Sequence, residues 1–155
     1  MSETAKIAPI ISGVTRFDIA AALAPAFRTA INAIEGHTVL FAKGSADVAP
    51  GSDTLASVAT DVQQLVALAA MTGQRFVVDV SGHTDAEGPD EANLPLSLAR
   101  AHVVTAAISE AVGPAIDVVA RGVGSAEPAE AGQDERSNQK NRRVTLRVIR
   151  PDAAQ

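Results

Sequence analysis

The alternation of apolar and polar residues along the chain predicts four short β-strands. These stretches have the two-residue period of a strand that is buried on one face, and they cover residues 38–41, 75–81, 116–120 and 142–149. Two longer stretches, at about 54–72 and 94–112, carry apolar residues at the three-to-four-residue spacing of a helix. Gly73 ends the first of these helices, and the Gly113-Pro114 pair ends the second.

The order of these elements, βαβαββ, predicts an α/β (α+β) sandwich in which two long helices pack on a mixed sheet of about four strands. A further apolar pattern from Phe17 to Ile34 predicts an N-terminal helical extension, in which Pro25 marks either a kink or the start of the helix. We expect residues 1–36 to form a linker and this extension, residues 37–150 to form the main domain, and residues 151–155 to form a tail. Residues 127–139 read as a polar loop.

The segment after the second predicted strand carries an acid and a base that can act together. Gly82 interrupts the strand pattern, so Thr84 and Asp85 lie where the strand ends. Arg100 lies on the first turns of the helix that follows. A carboxylate can hold an ammonium group, and a guanidinium can bind a carboxylate through two hydrogen bonds. Together they match the zwitterionic head of an amino acid.

Each of these residues also has a structural interpretation, which spacing alone leaves open. Asp85 could cap the turn that follows it, which is a common use of Asp after Gly. Arg100 could be an exposed helix residue that pairs with Asp90 or Glu91. Asn93 stands at the natural N-cap position of a helix that begins at residue 94.

Several motifs, in their order and spacing, resemble the OmpA-like peptidoglycan-binding domain, which also occurs in peptidoglycan-associated lipoproteins and MotB-type stator proteins. The resemblance spans about residues 38–149, and the motifs are GHTD at 82–85, Gly88, Asn93, LSLARA at 96–101 and NRRV at 141–144. Family members often have Phe-Asp where this chain has Phe41-Ala42. A polar neighbour of the site is therefore missing, unless Ser45 or Asp47 replaces it.

The resemblance implies non-covalent binding of peptidoglycan through the meso-diaminopimelate of its stem peptide, which anchors a parent envelope protein to the cell wall. It implies that Asp85 holds the ligand's ammonium group and that Arg100 holds its carboxylate. Asn93 and Arg142 would be supporting contacts, and Thr84 belongs to the same ligand-binding set. Because neighbouring strand residues point to opposite faces, at most one of Arg142 and Arg143 serves the site.

The resemblance also implies where the domain works and with what. We expect a periplasmic or cell-envelope domain, excised from a parent protein whose membrane anchor lies outside this chain. The alternative function is dimerisation and tethering, or protein interaction, in a stator- or secretion-type envelope complex. That alternative allows a homodimer as well as peptidoglycan as the partner.

Composition narrows the function further. The net charge of −5 argues against nucleic acid or an anionic membrane surface as partner. Without Tyr or Trp, stacking on a sugar ring is not expected, so the domain should read the peptide. No run in the sequence reads as long enough to span a bilayer.

The candidate chemistry does not indicate an enzyme. Ser81, His83 and Asp85 lie on one short stretch, where they do not form a catalytic triad with separated roles. His83 is instead expected to hold the loop through hydrogen bonds. The chain has no cysteine, its histidines lack metal-ligand spacing, and Gly122-Val-Gly124 lacks the rest of a phosphate loop. We therefore expect no metal and no cofactor.

Overall fold

The computed structural model describes residues 16–151. They form one sheet with α-helices packed on it, and a short 3₁₀ turn at Gly113–Ala115. In chain order the elements are α1 (Arg16–Glu35), β1 (Thr38–Leu40), α2 (Thr54–Thr72), β2 (Val77–Gly82), α3 (Asp90–Val112), β3 (Asp117–Gly122), α4 (Glu135–Asn141) and β4 (Arg143–Ile149). The predicted boundaries 1–36, 37–150 and 151–155 stay predictions, and residues 1–15 and 152–155 lie outside the described part.

The strands form a mixed four-stranded sheet in the order β1-β4-β2-β3. β2 and β3 run parallel, with Val77 opposite Asp117, and β4 runs antiparallel to both β1 and β2. The parallel pair follows from the long crossover through α3, whereas β4 returns between β2 and β1. The predicted α/β architecture with a mixed sheet is confirmed.

One face of the sheet is covered by α2 and α3, and the hydrophobic core lies between them. Val78 and Val80 of β2 are fully buried on this face, in one cluster with residues of the two helices such as Val62 and Val104. The opposite face carries Val77, Asp79, Val119, Arg121 and Ile149 around a shallow hollow. Alternation along β2 therefore separates an apolar face from a mixed face.

The N-terminal helix α1 packs onto this core. Phe27, Ala30 and Ile34 are buried in the core cluster, and the ring of Phe27 lies 5.6 Å from that of Phe76, centroid to centroid. The helix runs through Pro25, so Pro25 is not its start. β1 pairs with only part of β4, and beyond it the backbone N–H of Val148 donates to the Glu35 carboxylate at 2.8 Å. The helical extension is thus a packed part of the structure.

Two glycines allow α3 to lie directly against the ends of β2 and β3. A Cβ at Gly82 would lie 1.7 Å from the Ser97 carbonyl oxygen, and one at Gly122 would lie 2.6 Å from the Leu98 nitrogen. Both contacts are far too short for any other residue at these two positions. This close approach brings the first half of α3, with Arg100, to the loop after β2.

The structure differs from the sequence expectation at two helix boundaries. α3 begins at Asp90, four residues earlier than predicted, after a turn in which Gly88 has φ +87°. Acidic residues in the first turn favour that start, because they interact well with the helix dipole. The predicted loop 127–139 contains the start of α4, which is capped by Asp134 accepting from the Ser137 N–H at 2.9 Å.

α2 corrects the expectation that no run could span a membrane. Among residues 16–151, it has the length and mean hydropathy, 1.2, that would allow it to cross a bilayer. However, Val58, Val62 and Leu65 are fully buried in the core, and the helix contacts α1 and α3. The core therefore accounts for part of its apolar character, since 17% of this apolar stretch is buried.

Candidate ligand-binding site

A pocket of about 110 Å³ lies at the end of β2, between the loop after β1 and the first half of α3. Four of the five predicted site residues line it, together with four that were not predicted: Thr84, Asp85, Asn93 and Arg100, with Lys43, Gly44, Glu87 and Leu96. The fifth, Arg142, is not among the lining residues and contacts Asp85. Four larger hollows lie elsewhere within residues 16–151. The two along α1 are not lined by both an acidic and a basic side chain, whereas the other two are lined by Arg75 with Asp117 and by Asp79 with Arg121 on the sheet.

Arg100 is the most buried charged residue of the site, with no exposed surface. Its guanidinium donates to three backbone carbonyls: Nε to Ser45 at 2.9 Å, Nη1 to His83 at 2.9 Å and Nη2 to Ala42 at 3.1 Å. It also lies over the ring of Phe41, 5.6 Å from the centroid. Arg100 therefore joins the loop after β1 to the end of β2, and the interpretation of an exposed arginine is wrong.

Arg100 remains charged at neutral pH despite this burial. Burial lowers its pKa from 12.5 to about 10, Asp85 opposes that shift, and Arg142 adds to it. A guanidinium has five N–H groups, and three of them are used by the backbone carbonyls. Two N–H groups are left without a backbone carbonyl as partner.

The Asp85 carboxylate, only 7% exposed, has one partner on each oxygen. Oδ1 accepts from the Glu87 backbone N–H at 3.1 Å, and Oδ2 accepts from Arg142 Nη1 at 3.1 Å. The first contact caps the turn that follows Asp85, which is the structural interpretation of this residue. Each carboxylate oxygen has a second lone pair, so capacity to accept further hydrogen bonds remains.

Arg142 binds Asp85 without lining the pocket itself. Its second nitrogen, Nη2, donates to Glu135 at 2.6 Å. Burial alone would lower the pKa of Arg142, but the hydrogen bonds to Glu135 and Asp85 outweigh burial and raise it. Arg143 turns elsewhere and donates to the Glu127 carbonyl at 3.0 Å. Of the two arginines, Arg142 is the one that contacts Asp85.

Asn93 and Thr84 fix the loop that forms one wall. Asn93 is not the N-cap of α3, because the helix already begins at Asp90; its Nδ2 donates to the Glu87 carbonyl at 3.0 Å. The hydroxyl of Thr84 donates to the Asp85 carbonyl at 2.9 Å, and its N–H donates to the Gly124 carbonyl at 2.9 Å. Both side chains are buried.

His83 holds the same loop from inside. Its Nε2 lies 3.0 Å from the Thr145 hydroxyl, and its backbone N–H donates to the Arg143 carbonyl at 2.8 Å. Burial, helped by the charge of Arg143, lowers the pKa of His83 from 6.5 to about 4. The imidazole is therefore neutral at pH 7. In the described part of the chain, no three His, Cys, Asp or Glu side chains are grouped to hold a metal.

The loop after β1 contributes backbone atoms where an acidic side chain was thought to be missing. Ala42 and Ser45 bind Arg100 through their carbonyls, and the Ser45 hydroxyl accepts from the Asp47 N–H at 3.1 Å. Neither Ser45 nor Asp47 supplies a side chain to the pocket. Lys43 lines it instead and pairs with Glu87 at 3.3 Å. The one sequence signal for this pair is that the loop after β1 carries a basic residue and the loop after β2 carries an acidic one.

The OmpA family model matches residues 40–142 of the chain. This range contains β1 in part, α2, β2, α3, β3, α4 and Arg142, so it includes all eight residues that line the pocket. No curated protein matches the chain.

Several solved structures share the fold. The peptidoglycan-associated lipoprotein of Burkholderia pseudomallei is 29% identical, with 72% of this chain and 89% of that one covered and a TM-score of 0.59. The cell wall anchor of the T6SS of Pseudomonas aeruginosa is 23% identical, with 85% and 96% covered and a TM-score of 0.51. The C-terminal domain of Helicobacter pylori MotB is 17% identical, with 73% and 84% covered and a TM-score of 0.58. The last two support the fold alone.

Proposed function

This chain belongs to the OmpA family, and we propose that it binds peptidoglycan without a covalent bond and so attaches the protein that carries it to a bacterial cell wall. The 29% identical structure supports this proposal, because it is a peptidoglycan-associated lipoprotein. A protein associated with peptidoglycan works in the cell envelope, so we propose the periplasm as the place where the domain works.

The observation that carries the proposal is that Asp85 and Arg100 line one pocket with opposite charges. The two residues stand on different elements, and both are at least nine-tenths buried. A buried acid and a buried base that both face a pocket are suited to a zwitterion, because each ligand charge meets its opposite. The free end of meso-diaminopimelate, with one ammonium and one carboxylate on the same carbon, has this chemistry.

In the proposed complex, Asp85 accepts hydrogen bonds from the ammonium group, and the two remaining N–H groups of Arg100 donate to the carboxylate. The loops are held in place before the ligand arrives, since Arg100 already binds Ala42, Ser45 and His83. Such preorganisation reduces the entropy lost on binding. A pocket of about 110 Å³ admits only the charged end of the ligand, so the rest of the stem peptide would lie outside.

The pocket's chemistry favours binding over catalysis. Its only hydroxyl side chain is that of Thr84, which donates to the Asp85 carbonyl, and no histidine lines the pocket. A nucleophile beside a general base is what hydrolysis of a wall peptide would require. We therefore propose a binding module and not an enzyme.

A tethering or protein-interaction domain was the alternative function. Family membership fits both roles, but tethering does not require an acid and a base buried beside an open pocket. Burying charged groups is costly, and ligand recognition gives such a pair a use. The pocket thus favours ligand binding as the proposed function.

Calorimetric titration with meso-diaminopimelate tests the proposal. We expect the parent chain to bind and Asp85→Asn to bind at least about 30-fold more weakly, because one ligand charge loses its partner. Asp79→Asn is the matched control: Asp79 is equally buried on β2 and pairs with Arg121, but it does not line the pocket. Pimelate, which lacks the amino groups, should not bind.

Sedimentation of the same variants with purified sacculi extends the test to the polymer. The parent chain and Asp79→Asn should sediment with sacculi, whereas Asp85→Asn should stay in solution. The proposal would be overturned if the folded parent chain bound neither meso-diaminopimelate nor sacculi. Binding to sacculi that survives in Asp85→Asn would reject this pocket as the site.

A further inference from the structure

β3 is an edge strand that is hydrogen-bonded to β2 alone. Its residues are all at least partly exposed, whereas Val78 and Val80 of the neighbouring strand are fully buried. Within residues 16–151, no backbone hydrogen bond reaches β3 from its outer side. Such a row of free N–H and C=O groups is a template for a further strand.

The sequence of β3 is complementary to itself in one antiparallel register. If two copies pair so that Val119 faces its own equivalent, Asp117 of each copy lies opposite Arg121 of the other. These three side chains all lie on the exposed face, as the alternating burial of β3 shows. Opposite charges directly across an antiparallel pair stabilise it, and like charges destabilise it. A shift of two residues in either direction would lose both charge pairs.

The charges on this edge are available for such contacts. Arg121 binds the Asp79 carboxylate through Nη2 alone, and its side chain is 56% exposed. Its other N–H groups can therefore reach a second carboxylate. Asp117 is exposed and forms no ion pair within the described residues.

One exposed apolar side chain lies at the centre of this register. The described part of the chain has four large hydrophobic residues that are more than a third exposed: Met71, Leu94, Leu98 and Val119. Val119 is 50% exposed and lies on the sheet face opposite the helices. Pairing with a second copy would cover part of this side chain.

We propose that β3 is a homodimerisation edge, at which two copies of this chain pair their β3 strands antiparallel about Val119 and form one continuous eight-stranded sheet. The twofold axis is perpendicular to the sheet, so the helices of both copies stay on the same face. No residue of the ligand pocket lies in β3. The dimer therefore does not depend on the proposed peptidoglycan binding.

A charge swap between two variants tests the register. Asp117→Lys places Lys opposite Arg121 in a homodimer, and Arg121→Glu places Glu opposite Asp117. In sedimentation equilibrium, each variant alone should be a monomer, and the parent chain should shift towards the dimer mass as its concentration rises. An equimolar mixture should form a heterodimer, because both of its charge pairs are opposite again.

Two further variants keep the test valid if Arg121→Glu disturbs the fold through Asp79. Val119→Lys brings two like charges together at the twofold axis without touching Asp79, and it should be monomeric. Met71→Lys is the matched control, since it changes an equally exposed apolar residue on α2, and it should dimerise like the parent chain. A parent chain that stays monomeric up to about 1 mM would overturn the proposal. So would a Val119→Lys variant that still dimerises.

Discussion

Two aspartates on and after β2 show how the same ion pair acquires different properties from its surroundings. Asp79 and Asp85 are both less than a tenth exposed, and each binds an arginine from much later in the chain. The partner of Asp85, Arg142, is itself buried, with 5% of its side chain exposed. The partner of Asp79, Arg121, is 56% exposed on the open sheet face.

The difference lies in what fixes each arginine. Around Asp85, a second guanidinium, that of Arg100, is held by three backbone carbonyls, so that charges and loops form one rigid unit. Around Asp79, Arg121 extends across a flat strand surface in contact with water. A rigid buried network is expensive to disturb and suited to recognition, whereas an exposed arginine can change partners at little cost.

Replacing Arg100 and Arg121 by methionine should give the largest difference in stability between the two regions. Arg100→Met removes a fully buried charge together with the donors of three backbone carbonyls, and it should lower the free energy of unfolding by about 3–5 kcal/mol. Arg121→Met removes one hydrogen bond from the Asp79 carboxylate, which is 6% exposed, and should cost about 1–3 kcal/mol. Urea unfolding followed by circular dichroism measures both values.

The comparison would break if the two variants lost similar stability. Equal losses would mean that the backbone contacts of Arg100 contribute no more than one exposed ion pair. Arg100→Lys sharpens the test, because it keeps the charge but cannot reach three carbonyls at once. We expect it to recover less than half of the loss.

Acidification should weaken the buried region through His83. Its pKa is lowered from 6.5 to about 4 in the folded protein, so the unfolded chain takes up a proton in this interval and the folded chain does not. Stability should therefore fall as the pH is lowered from about 6.5 towards 4, by roughly 2–3 kcal/mol from this residue. Unfolding in urea at a series of pH values measures it.

Two substitutions separate His83 from other groups that titrate in the same range. His83→Gln can still reach the Thr145 hydroxyl but does not titrate, so its stability should depend less on pH between 6.5 and 4. His102→Gln changes an exposed histidine on α3 and should follow the parent chain. An unchanged pH profile in His83→Gln would assign the dependence to other residues.

The sequence predicted the architecture well, because the alternation in β2 and β4 and the stripe of α2 reflect burial on one face. It also predicted that Asp85 and Arg100 could meet, since a strand, a loop and a helix bring residues 15 positions apart together. The family resemblance, and not periodicity, assigned Arg142 to the site as a supporting contact, and its hydrogen bond to Asp85 was not predicted. The pattern Arg-Arg in a strand indicates only that two side chains diverge.

The sequence did not predict how these residues are held. An exposed position was one interpretation of Arg100, because arginines on helices are usually at the surface. Its partners are backbone carbonyls, which every residue has, so no side-chain type in the sequence marks them. Asn93 reads as a cap because Pro95 suggests that the helix begins at residue 94. The helix instead begins at Asp90, with acidic residues in its first turn. Lys43 was missed because nothing local to Ala42-Lys43-Gly44 indicates that this loop faces the one after β2.

The smallest effect expected is that of the ion pair at the rim of the pocket. Lys43 and Glu87 are 63% and 54% exposed, 3.3 Å apart, so water screens their attraction and both lose side-chain entropy when they pair. Lys43→Met should change the free energy of unfolding by less than about 0.5 kcal/mol and the affinity for meso-diaminopimelate by less than about threefold. Calorimetry at low and high salt measures the second value, and a loss as large as that of Asp85→Asn would show that recognition extends to the rim. Such a loss would mean that an exposed ion pair contributes to ligand binding as much as a buried charge does. Burial of a charged residue would then not predict whether it binds the ligand.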